Sequence, residues 1–399
     1  MIEFCYQDKI KNSFIPNGTP PFIIDKMRKI KKPISVFDNG GFQEEVQLEI
    51  GISTFRHILE LLQYSNIDYK ECLIEERTNE KYFFPISSFG SAEGMLGISE
   101  GQINYEFTKT FSNQVISDIR ENKCKVLLDG IDEGMPFKKE WCDKLHELID
   151  DLELSRKSFY FSTSNNVFKD WYDKNYKKNK QINILKFNWA ETSFQENCIE
   201  AKLNNEKFLS HKRNKHYISL NRSPREHRKK LFDYLKLNKL LDCGYVSYVA
   251  ENYFVDREYS LGASDNPCWN FIDKNFIEDS YFNIVTETWF YEKSLLLTEK
   301  IFKSVIYFQP FLLFGGYNSL KLLKDLGYKT FSRIFDESYD DEEDNDKRFE
   351  MICNEINRIG KIPISDIHEM YLSVEDILEY NYKHFLTKKQ IDYGKLFNG

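Results

Sequence analysis

Nowhere in the sequence do apolar residues run to the ~20 needed to span a bilayer. The longest candidate, VIYFQPFLLF at 305–314, falls well short and carries a proline. The opening residues, MIEFCYQDKIKNSF, lack the basic-then-apolar layout of a signal peptide. An excess of positive charge is missing too: 55 Lys and Arg face 63 Asp and Glu, a formal net charge of −8. That balance is the reverse of what broad phosphate-backbone contact requires, and it disfavours nucleic acid as a partner. The eight cysteines form no CxxC pair and no Cys/His group at zinc spacing, so they read as buried, reduced thiols and the protein as cytoplasmic. Glycine (18) and proline (10) are scarce while Lys, Asn and Ile abound, a bias that reads as base composition and carries no function.

What is present is core material. Hydrophobic residues make up 41% of the chain and aromatics 16%, with 33 Phe and 24 Tyr. At 399 residues the chain exceeds one ordinary core, and two domains plus connecting helices are expected.

The first 120 residues alternate turn signals, Pro16-Asn17-Gly18, Asn39-Gly40-Gly41 and the stretch 90–101, with short mixed segments and one helical pattern at Thr54–Tyr64. A clearer unit follows. Lys125–Leu128 reads as a buried strand, DGIDEG as a turn, Lys138–Leu152 as an amphipathic helix and Ser158–Thr163 as the next strand, a strand–helix–strand order from which parallel sheets are built. We therefore expect an N-terminal α/β domain at 1–190, a polar interdomain crossover at 191–215, a C-terminal Rossmann-like domain at 216–340 and a helical tail at 341–399, broken at Gly360 and Pro363. The acidic run Asp340–Asp346 reads as a solvated loop, not a metal site.

Two segments hold the chemistry. In the first, Tyr217–Leu220 is a strand and Ser223-Pro224-Arg225-Glu226 has the composition of a capped helix start. A second strand follows at Tyr245–Val249, which completes a βαβ unit. Its first loop lies at the carboxyl end of a strand, where open α/β sheets bind ligands, and carries Arg222, Arg225, His227 and Arg228. Cations gathered at a helix N-terminus oppose the helix dipole, which suits a bound anion such as a diphosphate between them; the alternative is a group of solvated surface arginines. In the second segment, Phe282–Thr286 is a strand, Thr298 caps a helix that begins Glu299-Lys300 with Lys303 one turn on, and Phe311–Phe314 is a strand running into Gly315-Gly316. A further helix at Asn318–Leu326 and a strand at Lys329–Phe331 continue the alternation. Lys300 and Lys303 lie on one side of their helix, where they suit phosphate, while Glu299 suits sugar or ribose hydroxyls or a plain cap. The two glycines permit close backbone approach to a ligand.

The ordered motifs SLNRSPREHR, VTETWF, LTEKIFKSVIYFQPFLLFG, LKDLGYKTF and FDESYD resemble the C-terminal domain of glycosyltransferase-like proteins of phages and large DNA viruses. That group is similar to the α1,3-fucosyltransferases, whose nucleotide-binding half carries a Thr-Glu-Lys helix start before an apolar segment. The resemblance covers about 216–340; residues 1–190 match loosely, through LLDGIDEG and YFSTSNN. It implies a GT-B architecture of two Rossmann-like domains, the second holding a sugar nucleotide, and for a viral protein the host cytoplasm. Carried over by position, Arg222 and Arg225 would bind phosphate, Glu287 and Glu299 would contact ribose or sugar, and Lys300 and Lys303 would neutralise the leaving diphosphate; Arg228, Gly315 and Gly316 complete the expected donor-binding set. The fucosyltransferases also place a catalytic Glu in the acceptor domain. Glu133, in the turn after a strand, is the candidate base here, with Glu299 the second catalytic candidate.

The expected reaction is transfer of a sugar from a nucleoside diphosphate sugar to a hydroxyl acceptor, without cofactor or metal. The net charge favours a glycan or protein acceptor over a base in viral DNA. Two alternatives stand beside it: a non-catalytic nucleotide- or glycan-binding protein of the same fold, and a metal-dependent transferase or phosphohydrolase using Asp129 and Asp132.

Overall fold

The computed structural model describes residues 2–6, 37–38, 41–42, 68–87, 111–130, 139–200, 211–255, 274–291 and 293–388. The helix expected at Thr54–Tyr64 lies outside them, as do Asp132 and Glu133. The chain is α/β and divides into two units, with the boundary between Trp189 and Ala190.

The first unit holds β1 (Ile2–Tyr6), β2 (Phe37–Asp38), β3 (Gly41–Phe42), β4 (Tyr69–Leu73), β5 (Tyr82–Ser87), β6 (Cys124–Gly130), β7 (Phe159–Thr163) and β8 (Asn183–Lys186). Six of them form a parallel sheet in the order β4-β1-β5-β6-β7-β8, and β2 and β3 pair antiparallel by themselves. In β6, Val126, Leu127 and Leu128 are all fully buried, the unbroken apolar run of a strand covered on both faces. Helices α1 (Asn113–Arg120), α2 (Lys139–Asp151) and α3 (Phe168–Asn175) accompany the sheet. Ser112 starts α1 by accepting the Val115 N–H at 3.3 Å. In α2, Cys142, Leu145, His146 and Ile149 form the buried stripe, at helical spacing. The strand–helix–strand order expected from Lys125 to Thr163 is present.

The second unit holds β9 (Lys215–Asn221), β10 (Gly244–Tyr248), β11 (Ser280–Thr286) and β12 (Phe311–Phe314), a parallel sheet in the order β10-β9-β11-β12. All seven residues of β11 and all four of β12 are buried, so these strands, too, are covered on both faces. Its helices are α4 (Trp189–Glu200), α5 (Glu226–Leu237), α6 (Lys274–Glu278), α7 (Glu299–Ile306), α8 (Ser319–Asp325), α9 (Asn345–Gly360), α10 (Ile364–Leu372) and α11 (Glu375–Thr387). The chain thus has two parallel sheets, compatible with two Rossmann-like domains. No helix among the described residues is long and apolar enough to cross a membrane.

Several local expectations need revision. The segment read as a polar crossover contains α4, whose Phe194 and Cys198 join the core of the second unit. The three tail helices break where Gly360 and Pro363 stand and contribute Ile352, Ile356, Tyr371 and Phe385 to that same core. Lys329–Phe331 is not a strand. Its Lys329 and Phe331 N–H groups donate to the side chains of Asn381 and Glu337, which leaves no sheet ladder for them to join. The start of the acidic run is not a solvated loop either: Asp340 is buried, and its carboxylate accepts the Leu320 and Lys321 N–H groups at 2.8 Å each, capping α8 from a distance in sequence. Asp344 caps α9 through the Lys347 N–H at 2.9 Å.

Candidate functional site

Strand β9 pairs directly with β11, with Phe282 opposite Tyr217 and Asn283 opposite Ile218. The carboxyl ends of both strands therefore open on one edge of the sheet, and their last residues are joined there, Thr286 Oγ1 donating to Asn221 Oδ1 at 2.6 Å. Two loops leave this edge.

After β9, Arg222 is exposed and Arg225 half-buried. The capping box expected at Ser223 does not form. The helix begins at Glu226, and Arg225, extended at φ −127° and ψ 148°, precedes it without a side-chain cap. Glu226 pairs instead with Lys230 at 2.9 Å, one turn on, and the Ser223 carbonyl accepts from Arg228 at 3.3 Å. The Arg225 guanidinium lies over the ring of Trp289, 4.8 Å from its centroid, so the two loops touch.

The loop after β11 is held from behind by buried basic side chains. Arg228 donates to the carbonyls of Thr286 (3.0 Å) and Glu287 (3.3 Å). His227 Nε2 bonds the Glu287 carbonyl at 3.0 Å and its ring stacks on Phe290, while burial pushes its pKa down to about 3 and keeps it neutral. From α9, Arg348 donates to the Phe290 carbonyl at 2.9 Å and lies over the Phe290 ring. Carbonyls that would otherwise be buried without donors are satisfied in this way.

The same loop carries Glu287, 1% exposed. Its two carboxylate oxygens accept the Thr298 N–H at 3.0 Å and the Thr298 hydroxyl at 2.5 Å. Burial raises its pKa above the ordinary value, against the opposing charge of Lys300. Thr298 caps α7 and also receives Lys300 Nζ at 3.0 Å; the same ammonium donates to Glu299 Oε1 at 3.1 Å. For Glu299, burial acts first to raise the pKa, but the charges of Lys300 and Lys303 outweigh it and hold the carboxyl below its usual range. A continuous chain of polar groups results, Glu287–Thr298–Lys300–Glu299. Two of the three N–H bonds of Lys300 are engaged in it, and the side chain is about one-third exposed, which leaves a donor for an anion.

The predicted residues thus sort into groups. Arg222, Arg225, Glu287, Glu299 and Lys300 all stand in the two loops of this edge or at the helix start joined to them. Lys303 is buried, and its charge acts on Glu299 and on Cys198 of α4. Arg228 is buried with its guanidinium on backbone carbonyls. A side chain at Gly315 would collide with Ser319, and one at Gly316 would meet the Ser294 carbonyl oxygen at 2.6 Å, so the close approach these glycines permit is to the protein's own chain. Asp129 is paired within β6, opposite Ser87 of β5 and Ser162 of β7, and the candidate base Glu133 lies outside the described residues. Asn221, Trp289 and Arg348 were not anticipated. Trp289 stands within the quoted VTETWF motif, whereas Arg348 carries no signal in the sequence. Comparison of the chain with protein-family models, with curated proteins and with solved structures finds no match.

Proposed function

We propose that the protein is a glycosyltransferase of GT-B type that binds a nucleoside diphosphate sugar at the carboxyl edge of β9 and β11. The observation that carries this reading is the direct parallel pairing of these strands, which puts the Arg222/Arg225 loop and the Glu287–Thr298–Lys300–Glu299 chain on one edge. Such an edge suits the reaction. Cations beside a developing diphosphate stabilise the leaving group without a metal ion, and the ionised Glu299 accepts hydrogen bonds from sugar or ribose hydroxyls. A carboxylate takes the proton of the acceptor hydroxyl as its oxygen attacks the anomeric carbon and the diphosphate departs; Glu133 remains our candidate for that base. The acceptor class is a glycan or protein, in keeping with the net charge of −8.

A second reading, nucleotide binding without turnover, has one observation in its favour. Both described carboxylates of the edge are already bonded, Glu287 to Thr298 and Glu299 to Lys300. A thermal-shift screen of nucleotide sugars and nucleoside diphosphates, each read against the same buffer with and without EDTA, tests the proposal. The expected result is a nucleotide-induced rise in Tm that survives EDTA, with nucleoside diphosphate released when glycan or protein acceptors are added. Stabilisation without release on any acceptor supports the second reading. No stabilisation contradicts both, and stabilisation only with a divalent ion contradicts the metal-independent transfer.

A further inference from the structure

The first unit contains a group that plays no part in the proposed donor site. Cys5 on β1 and Cys72 on β4 are register partners in adjacent parallel strands, and their sulfurs stand 3.6 Å apart. Glu3 lies two residues before Cys5, hence on the same face of the sheet. The three side chains are 1%, 0% and 2% exposed, in the order Glu3, Cys5, Cys72, and one ligand atom of each lies within 4.8 Å of the others.

From this geometry we propose that Glu3, Cys5 and Cys72 bind a thiophilic divalent ion of the zinc class, as a structural site that ties β1 to β4. Two thiolates on a tetrahedral zinc at ~2.3 Å each stand about 3.8 Å apart, close to the observed separation, whereas a disulfide needs ~2.05 Å. The carboxylate is held in place by hydrogen bonds, as ligating carboxylates are: it accepts the Thr78 N–H at 3.1 Å, the Thr78 hydroxyl at 2.5 Å and the Asn79 N–H at 2.8 Å. A buried carboxylate thus stands beside two polarisable sulfurs, a donor set that suits a thiophilic ion. On binding, both thiols lose their protons to solvent, so one M²⁺ enters as two H⁺ leave. Two thiolates, one carboxylate and the ion sum to one negative charge, which Lys70, 3.6 Å from Glu3 Oε1, opposes.

The test is cobalt(II) titration of the full chain after reduction and removal of metal, followed by thiolate-to-cobalt charge transfer and the visible bands of tetrahedral cobalt. Native mass spectrometry of the zinc-loaded wild type runs beside it and needs no variant. The expected results are one cobalt per chain, a mass gain of one zinc less two protons, and at least a tenfold loss of affinity in Cys5→Ser and in Cys72→Ser. The control Cys353→Ser, which removes a buried thiol of the second unit, leaves binding unchanged. Absence of the charge-transfer band and of the mass gain in the wild type, a band that persists in the double Cys5→Ser/Cys72→Ser variant, or a Cys5–Cys72 disulfide in a chain that takes up no cobalt once reduced would each overturn the site.

Discussion

After β9 the chain leaves Arg222 in solvent and lays Arg225 over Trp289; after β11 it buries Glu287 and fastens its own carbonyls to His227, Arg228 and Arg348. The two loops share one sheet edge and both are rich in charge, but burial divides the labour between them. A guanidinium out of water takes whatever acceptors the backbone offers, because an unsatisfied buried carbonyl and an unpaired buried cation are both costly. A guanidinium nearer the surface keeps part of its solvation and is under no such compulsion. Arg225 and Arg228 stand three residues apart and end in these opposite roles, so that one stiffens the second loop while the other faces it.

If the loop after β11 is a frame, removing its rear support should produce the largest effect on stability. Arg348→Ala is expected to cost about 3–5 kcal/mol, from the lost packing on Phe290 and from the buried Phe290 carbonyl and the part-buried Glu342 carbonyl that lose this donor. Urea denaturation measures it. A cost below about 1 kcal/mol would mean that this loop needs no such support.

Acid offers a second way to separate the regions. His227 has its pKa depressed by burial to about 3, and His146, buried in the first unit against Tyr172, to about 4. For a group of depressed pKa, stability is fully present above the unfolded value, here 6.5, and is lost as pH falls towards the folded one. Each histidine should therefore remove up to about 1.4 kcal/mol per pH unit below 6.5, until about pH 3 for His227 and about pH 4 for His146. His227→Gln should flatten this loss in the second unit and His146→Gln in the first, as followed by pH-dependent hydrogen exchange. An unchanged pH slope in either variant would show that the histidine is not the titrating group.

The smallest effect concerns a cap. Asp340→Ala should destabilise the second unit by about 1 kcal/mol through loss of the α8 cap, without altering nucleotide affinity, because its carboxylate serves the Leu320 and Lys321 amides. A fall in affinity greater than in stability would put the acidic run back in contention as part of a site.

Much of the sheet of the second unit was readable from sequence. Each strand is a short apolar run bounded by turn residues, and Thr298 before Glu299-Lys300 is a cap followed by a helix. The features that escaped depend on contacts between distant segments. Nothing in SPREHR tells Arg225 from Arg228, since the distinction is made by carbonyls some 60 residues away. Asp340 looks solvated within its run until α8 supplies amides for it to accept, and Lys329–Phe331 looks like a strand until Glu337 and Asn381 take its N–H groups. Spacing rules for metal sites search neighbouring residues, so Cys5 and Cys72, 67 apart, become a pair only once β1 and β4 lie side by side. Helix α4 was hidden because its apolar residues are spread round it with almost no one-sided stripe, unlike those of α2, although Phe194 and Cys198 reach the core.

The central claim is that the cations left at the surface of the β9–β11 edge, and not the buried ones, hold the diphosphate. Titration calorimetry with a nucleoside diphosphate, on the wild type and on Arg225→Ala and Lys300→Ala, tests it most directly. Each substitution should weaken binding by about 1.5–3 kcal/mol, the range for a hydrogen bond to a charged group, with circular dichroism unchanged. Wild-type affinity in both variants, with the fold intact, would contradict the assignment.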